Sequence, residues 1–216
     1  MKRSRYGYQP AEAIAHLSAA DPALQALITR VGPFALEMHE AQSLLESMLR
    51  SIIYQQLHAK AAAAIHGRVL ALLAPNGGIT PEAIDRVPDA ALRQAGLSAN
   101  KLLAIRDLAA KCRAGTVPSL VEARRLGDDE LVERLTAVRG IGPWTVHMLL
   151  IFQLGRPDVM PTGDFAIRLA FKKLYRKRKD PSPAQIVQHA RRWQPYRSVA
   201  SWYLWRSLDT SPPPSP

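Results

Sequence analysis

Apolar residues along this chain recur at intervals of three and four and almost nowhere alternate, which is the period of amphipathic helices. Leu44, Leu45, Met48, Leu49, Ile52 and Ile53 form one such stripe. Asp21-Pro22 supplies an N-cap and a first-turn proline, and Gly32 closes the helix they start. The alanine-rich stretch from His58 to Leu73 predicts a helix that neighbours can approach closely. Thr80-Pro81-Glu82 opens a short helix, and Ser98 opens one that Gly115 ends. Further helices are predicted from Asp128 to Val138, from Pro143 to about Leu154, from Ser182-Pro183 to Trp193, and from Ser198 to Leu208. No run of four residues alternates with β-branched enrichment, so the chain reads as all-α.

The joints between these helices are short, as in helical bundles. The longest irregular ones are 74–79 and 154–163. No internal repeat or clear linker appears. The pattern is read as one helical unit over residues 1–208. Its central block covers about 40–155, and the segments 1–39 and 156–208 are expected to pack together. The tail 209–216, DTSPPPSP, has little to bury and is expected to be disordered.

Composition narrows the partners. The 216 residues carry a formal net charge of +11, an excess that favours a polyanion through counterion release. A basic enzyme with no nucleic-acid role fits the charge equally well. The single cysteine, Cys112, excludes an intrachain disulfide, a four-cysteine iron–sulfur cluster and a cysteine zinc site. The basic start MKRSRYGYQP is followed by no apolar segment, and no window approaches the roughly 18 apolar residues of a membrane span. These features suit a soluble, cytoplasmic protein. The histidines show no metal-ligand spacing, and no transition metal is expected.

The most informative stretch is LVERLTAVRGIGPWTVHMLLIFQL, residues 131–154. Two helices are joined by Arg139-Gly140-Ile141-Gly142, which leaves room only for a tight hairpin. The glycines admit a left-handed turn and leave amides uncovered, and Pro143 suits the first helical position. A helix start with bare N–H groups is a natural seat for a phosphate, though a turn of this kind can also be purely structural. Downstream, Asp164 in MPTGDFAIR follows Gly163 and by itself reads as the cap of a helix starting at Phe165.

Together, these motifs resemble the helix-hairpin-helix superfamily of base-excision DNA glycosylases. VRGIGPWT is similar to its hairpin signature, and Asp164 falls where that family carries an essential aspartate. SIIYQQLHAKAAAAI and RWQPYRSVASWYLW are similar to the 3-methyladenine DNA glycosylase II branch. The resemblance spans roughly residues 40 to 208 and implies an all-α fold of two helical subdomains with a cleft between them. With only about forty residues before the first motif, it implies the compact form without an N-terminal β domain.

Residue by residue, the resemblance implies Asp164 as the catalytic carboxylate. It implies Gln56, Leu57 and His58 as a minor-groove wedge, with Gln56 also reaching the pocket. Taken alone, Leu57 reads as an ordinary core leucine. Trp144 and Trp205 match pocket positions, Phe165 adjoins the acid, and Met148 replaces a family tyrosine. DNA contacts are implied for Arg139, Gly140, Ile141, Gly142, Thr145 and Lys101, the last being equally readable as a structural ion pair. A monovalent cation on the carbonyls of Thr136, Val138 and Ile141 is a further implication; no cofactor is expected. Bifunctional relatives carry a lysine where this chain has Trp144, so no strand-cutting lyase step is implied.

The chemistry implied is base release. An alkylated purine already bears positive charge and leaves readily. One carboxylate facing the sugar can stabilise the oxocarbenium-like transition state. Electron-rich rings suit a cationic base. The expected partner is duplex DNA containing alkylated bases, met by a monomer away from any membrane. Two other readings stay open: a non-catalytic hairpin module that only grips DNA, and a glycosylase for oxidised or mismatched bases. The basic run from Lys172 to Lys179 reads as a solvated helix face, with phosphate contact as the alternative.

Overall fold

The computed structural model describes residues 6–39 and 41–209; apart from Asp209, the tail expected to be disordered lies outside them. Among the described residues all regular structure is helical. The chain contacts divide it into two units, 1–39 with 147–216, and 40–146. No helix of the described residues is long and apolar enough to cross a membrane.

The unit 40–146 is built on α3 (Leu44–Tyr54) and α7 (Ala99–Arg113), which pack together. The stripe from Leu44 to Ile53 is buried, and α7 answers it with Leu102, Ile105 and Leu108. Ser43 caps α3 by accepting the N–H of Glu46, and Ser98 caps α7 by accepting that of Lys101. Around this pair lie α4 (Ala59–Leu73), α5 (Pro81–Arg86), α6 (Asp89–Gln94), α8 (Leu120–Ala123) and α9 (Asp128–Thr136). The α4 face is mostly alanine, so only Ala62, Val69 and Leu73 are buried. Its proposed first residue, His58, is instead the N-cap and makes no side-chain capping bond.

The second unit is formed by α1 (Pro10–Ala20), α2 (Pro22–Val31), α11 (Phe165–Leu174), α12 (Pro183–Ala190) and α13 (Arg197–Arg206). Helix α10 (Pro143–Phe152) runs across the boundary at 146/147. Helices α1 and α2 pack on α13, and α13 packs on α11. Trp193, Tyr203 and Phe171 fill this core, each burying an apolar area that contributes roughly 2–3 kcal/mol. Helix α1 was not anticipated from the periodicity, because its stripe is mainly alanine and buries only Ala13 and Leu17.

Asp21 organises the unit. It is 2% exposed, yet its carboxylate accepts the N–H groups of Ala23 and Leu24, the Tyr175 hydroxyl at 2.7 Å, His189 Nε2 at 3.0 Å and Trp193 Nε1 at 3.1 Å. One residue therefore caps α2 and ties it to the ends of α11 and α12. Burial pushes its pKa up, but the four hydrogen bonds from Tyr175, His189, Leu24 and Trp193 outweigh that and hold it below the ordinary carboxylate range. Burial holds His189 below the usual histidine value, so the neutral ring donates to Asp21.

Candidate functional site

In the unit 40–146 the hairpin turn is tight. Gly140 has φ of +77°, a conformation that a Cβ would strain, and the N–H of Ile141 returns to the Val138 carbonyl at 3.1 Å. Ile141 is buried and anchors the turn. Among the described residues neither the Gly140 nor the Gly142 N–H meets an acceptor. Arg139 is exposed at its side chain, while its backbone N–H donates to the Asp107 carboxylate at 2.7 Å. The arrangement is a rigid turn with open amides, suited to an anion at the start of α10.

Beside the turn stands the loop after α3. Gln56 has φ of +55°, and Gln56, Leu57 and His58 are all exposed, Leu57 at 39%. The ordinary core reading of Leu57 therefore fails. Gln55 bridges loop and hairpin: its Nε2 donates to the Gly140 carbonyl at 2.8 Å. Lys101 was expected on DNA or in an ion pair. Its ammonium instead donates to the carbonyls of Ile53 at 2.6 Å and Gln55 at 2.8 Å, and burial lowers its proton affinity. Thr145, in the first turn of α10, is only 9% exposed. Trp144, by contrast, is half exposed at the start of α10.

In the other unit, Asp164 caps α11. Its Oδ1 accepts the N–H of Ile167 at 2.8 Å and the indole Nε1–H of Trp205 at 3.2 Å. Capping and a fixed carboxylate are thus the same feature. Trp205 is half-buried and stacks on Phe152, centroids 5.6 Å apart and planes 28° apart. Phe152 in turn stacks on His39, whose backbone N–H donates to the Phe152 carbonyl at 2.7 Å. Met148 is half-buried on α10. Phe165, which follows the acid directly, is 75% exposed and shares no ring contact among the described residues.

The carbonyls of Thr136, Val138 and Ile141 offer a cation only main-chain oxygens, one of which already accepts the Ile141 N–H. No group of three or more His, Cys, Asp or Glu side chains among the described residues could hold a metal. Burial pushes the Cys112 thiol up to about 11, which keeps it protonated and a poor nucleophile.

Residues 49–195 match the model of the HhH-GPD superfamily of base excision DNA repair proteins. The chain belongs to this family. It is 38% identical over 193 residues to DNA-3-methyladenine glycosylase 1 of Schizosaccharomyces pombe, covering 89% of this chain and 85% of the relative. A solved structure of the S. pombe 3-methyladenine DNA glycosylase with abasic DNA superposes with a TM-score of 0.77 at 39% identity, over 91% of this chain and 96% of that one. The DNA-3-methyladenine glycosidase of Bacillus halodurans gives 0.84 at 35% identity, over 96% and 94%.

In this HhH-GPD chain the sequence motifs do not single out Gln55 and Asp107, which brace the hairpin, or Phe152 and His39, which stack behind Trp205. Asp107 lies 32 residues before the amide it holds, and Gln55 lies 85 residues before its carbonyl. Only Phe152 carried a signal, as an aromatic inside the hairpin motif. The basic run also divides. Tyr175 turns inward to Asp21 and Lys172 pairs with Asp180, whereas Lys173 and residues 176–179 are exposed.

Proposed function

We propose that this HhH-GPD protein is a monofunctional DNA glycosylase that turns alkylated purines, 3-methyladenine and 7-methylguanine among them, out of duplex DNA and hydrolyses their N-glycosidic bond. The observation that carries the reading is the Asp164 carboxylate, fixed by the Ile167 N–H and the Trp205 indole in a chain of this family. The relatives named above are 3-methyladenine glycosylases, and one is bound to abasic DNA, the class of product this reaction leaves.

As the bond to the purine breaks, its electron pair stays on the base nitrogen and cancels the charge that alkylation introduced. The sugar is left oxocarbenium-like. Asp164 stabilises that positive charge, and water adds at C1′ and releases a proton, leaving an abasic site. A single acid therefore suffices, unlike the paired carboxylates of glycoside hydrolases. Trp205, backed by Phe152, offers a π face for a cationic base. The open amides of Gly140 and Gly142 hold a phosphate, and Leu57 enters the gap in the stack.

With Trp144 in the lysine position of bifunctional relatives, no Schiff base forms and the strand stays intact. No cofactor enters any step. The protein acts as a cytoplasmic monomer on duplex DNA and not at a membrane, starting base-excision repair.

Incubation with methylated, uracil-containing and 8-oxoguanine duplexes tests the proposal. Release is expected from the methylated duplex alone, with strand scission only after alkali or heat. Binding without release would favour a non-catalytic module, release of 8-oxoguanine a different lesion class, and borohydride trapping a lyase.

A further inference from the structure

Lys101 is an odd choice for its own helix. It sits in the first turn of α7, where the macrodipole disfavours a cation. Its charge is spent elsewhere, on the carbonyls of Ile53 and Gln55, at the C-terminal end of α3 where carbonyls lack helical partners. Directly after those carbonyls comes Gln56, one of two non-glycine residues with positive φ among the described residues. A left-handed turn on an L residue persists only where its surroundings hold it.

The same helix holds the hairpin. Asp107, six residues on and about 9 Å along the axis, accepts the backbone N–H of Arg139 at 2.7 Å. Gln55 closes the arrangement by donating to the Gly140 carbonyl at 2.8 Å. Helix α7 thus holds, with one side chain, the two carbonyls that lead into the exposed Gln56-Leu57-His58 loop and, with another, the hairpin turn, and Gln55 joins the two directly.

We propose that Lys101, Asp107 and Gln55 are positioning residues that lock the inserting loop to the hairpin, so that seating the turn on a phosphate delivers Leu57 to the base stack. The inference rests on the glycosylase reading above. A loop that is only tethered by its ends could fold back when pressed against stacked bases. These three side chains resist this by holding the end of α3, from which the loop springs, and the neighbouring turn on one helix. The Lys101 ammonium is already committed to two carbonyl oxygens, and partial burial lowers its proton affinity.

The test compares base release from two duplexes, one with 3-methyladenine opposite thymine and one with it opposite an abasic gap, where unstacking is already partly done. Lys101→Met keeps the stem and loses the two bonds. Its single-turnover rate should fall on the order of 10- to 100-fold on the paired lesion and less than about threefold on the gapped one. Affinity for undamaged duplex should stay within about twofold, because the hairpin is intact. Lys101→Arg should recover most of the rate. Gln55→Met, at a half-buried position that leaves the core untouched, should reproduce the same split if Lys101→Met folds poorly. Equal losses on both duplexes, or none on either, overturn the proposal. Failure of the wild-type protein to release base from either duplex would instead sink the glycosylase reading.

Discussion

The indole N–H of Trp205 and the N–H of Ile167 converge on one oxygen, Oδ1 of Asp164, at 3.2 Å and 2.8 Å. Two donors on a single oxygen leave the carboxylate little rotational freedom. One of them comes from the same helix and the other from α13, 41 residues away. The acid's orientation is therefore a property of how α11 and α13 pack.

Replacing Asp164 with Asn keeps a competent cap but removes the negative charge. Single-turnover release of 3-methyladenine should fall by on the order of 100- to 1000-fold, about 3–4 kcal/mol of transition-state stabilisation. Duplex affinity and melting temperature should hardly change, since Asn caps a helix about as well. Release at the wild-type rate would remove Asp164 from the chemistry.

Trp205→Phe separates the donor from the ring. Stacking on Phe152 survives, while the hydrogen bond to Asp164 is lost. The expected result is roughly a tenfold loss in single-turnover rate, equivalent to about 1.4 kcal/mol, with thermal stability nearly unchanged. An unaltered rate would show that Ile167 alone is enough to hold the carboxylate.

At Gly140, an added Cβ would meet only the Ala104 Cβ at an ordinary 3.6 Å, so the cost of Gly140→Ala comes from φ of +77°. That strain is worth about 1–2 kcal/mol. The turn should relax away from its anion-gripping shape, weakening duplex binding for damaged and undamaged DNA alike. Titrations at several salt concentrations check this, and a loss confined to damaged DNA would contradict it.

The Asp21 network predicts how stability depends on pH. Asp21 titrates below the ordinary carboxylate value in the fold, so its contribution is complete above about pH 4 and is lost as pH falls through the folded value. His189 is also held below its ordinary value, so the unfolded chain takes up its proton first as pH drops below about 6.5. Both act in one direction. Melting temperature should be level near neutrality, decline in mild acid and fall again below about pH 4. Asp21→Asn should cost roughly 2–4 kcal/mol at pH 7 and shrink the lower step in a series of thermal melts.

Sequence and tertiary structure divided the site along a physical line. The hairpin was legible because its signal is local: glycines, a first-turn proline and flanking apolar stripes act over a few residues. Asp164 was legible for the same reason, its cap role being written in the residues beside it. Leu57 was not, since an exposed and a buried leucine look alike in a periodic pattern.

By itself the sequence determined that the regular structure of the described residues is helical, where most of the longer helices begin, and which turn leaves amides bare. Propensity, capping and periodicity are short-range forces and need no knowledge of the fold. Only the tertiary structure decided that Lys101 serves two carbonyls, that Phe165 faces solvent while Phe152 backs Trp205, and that Asp21 gathers donors from residues 175, 189 and 193. Those pairings follow from burial, which brings distant polar groups together and leaves each to find a partner once water is gone.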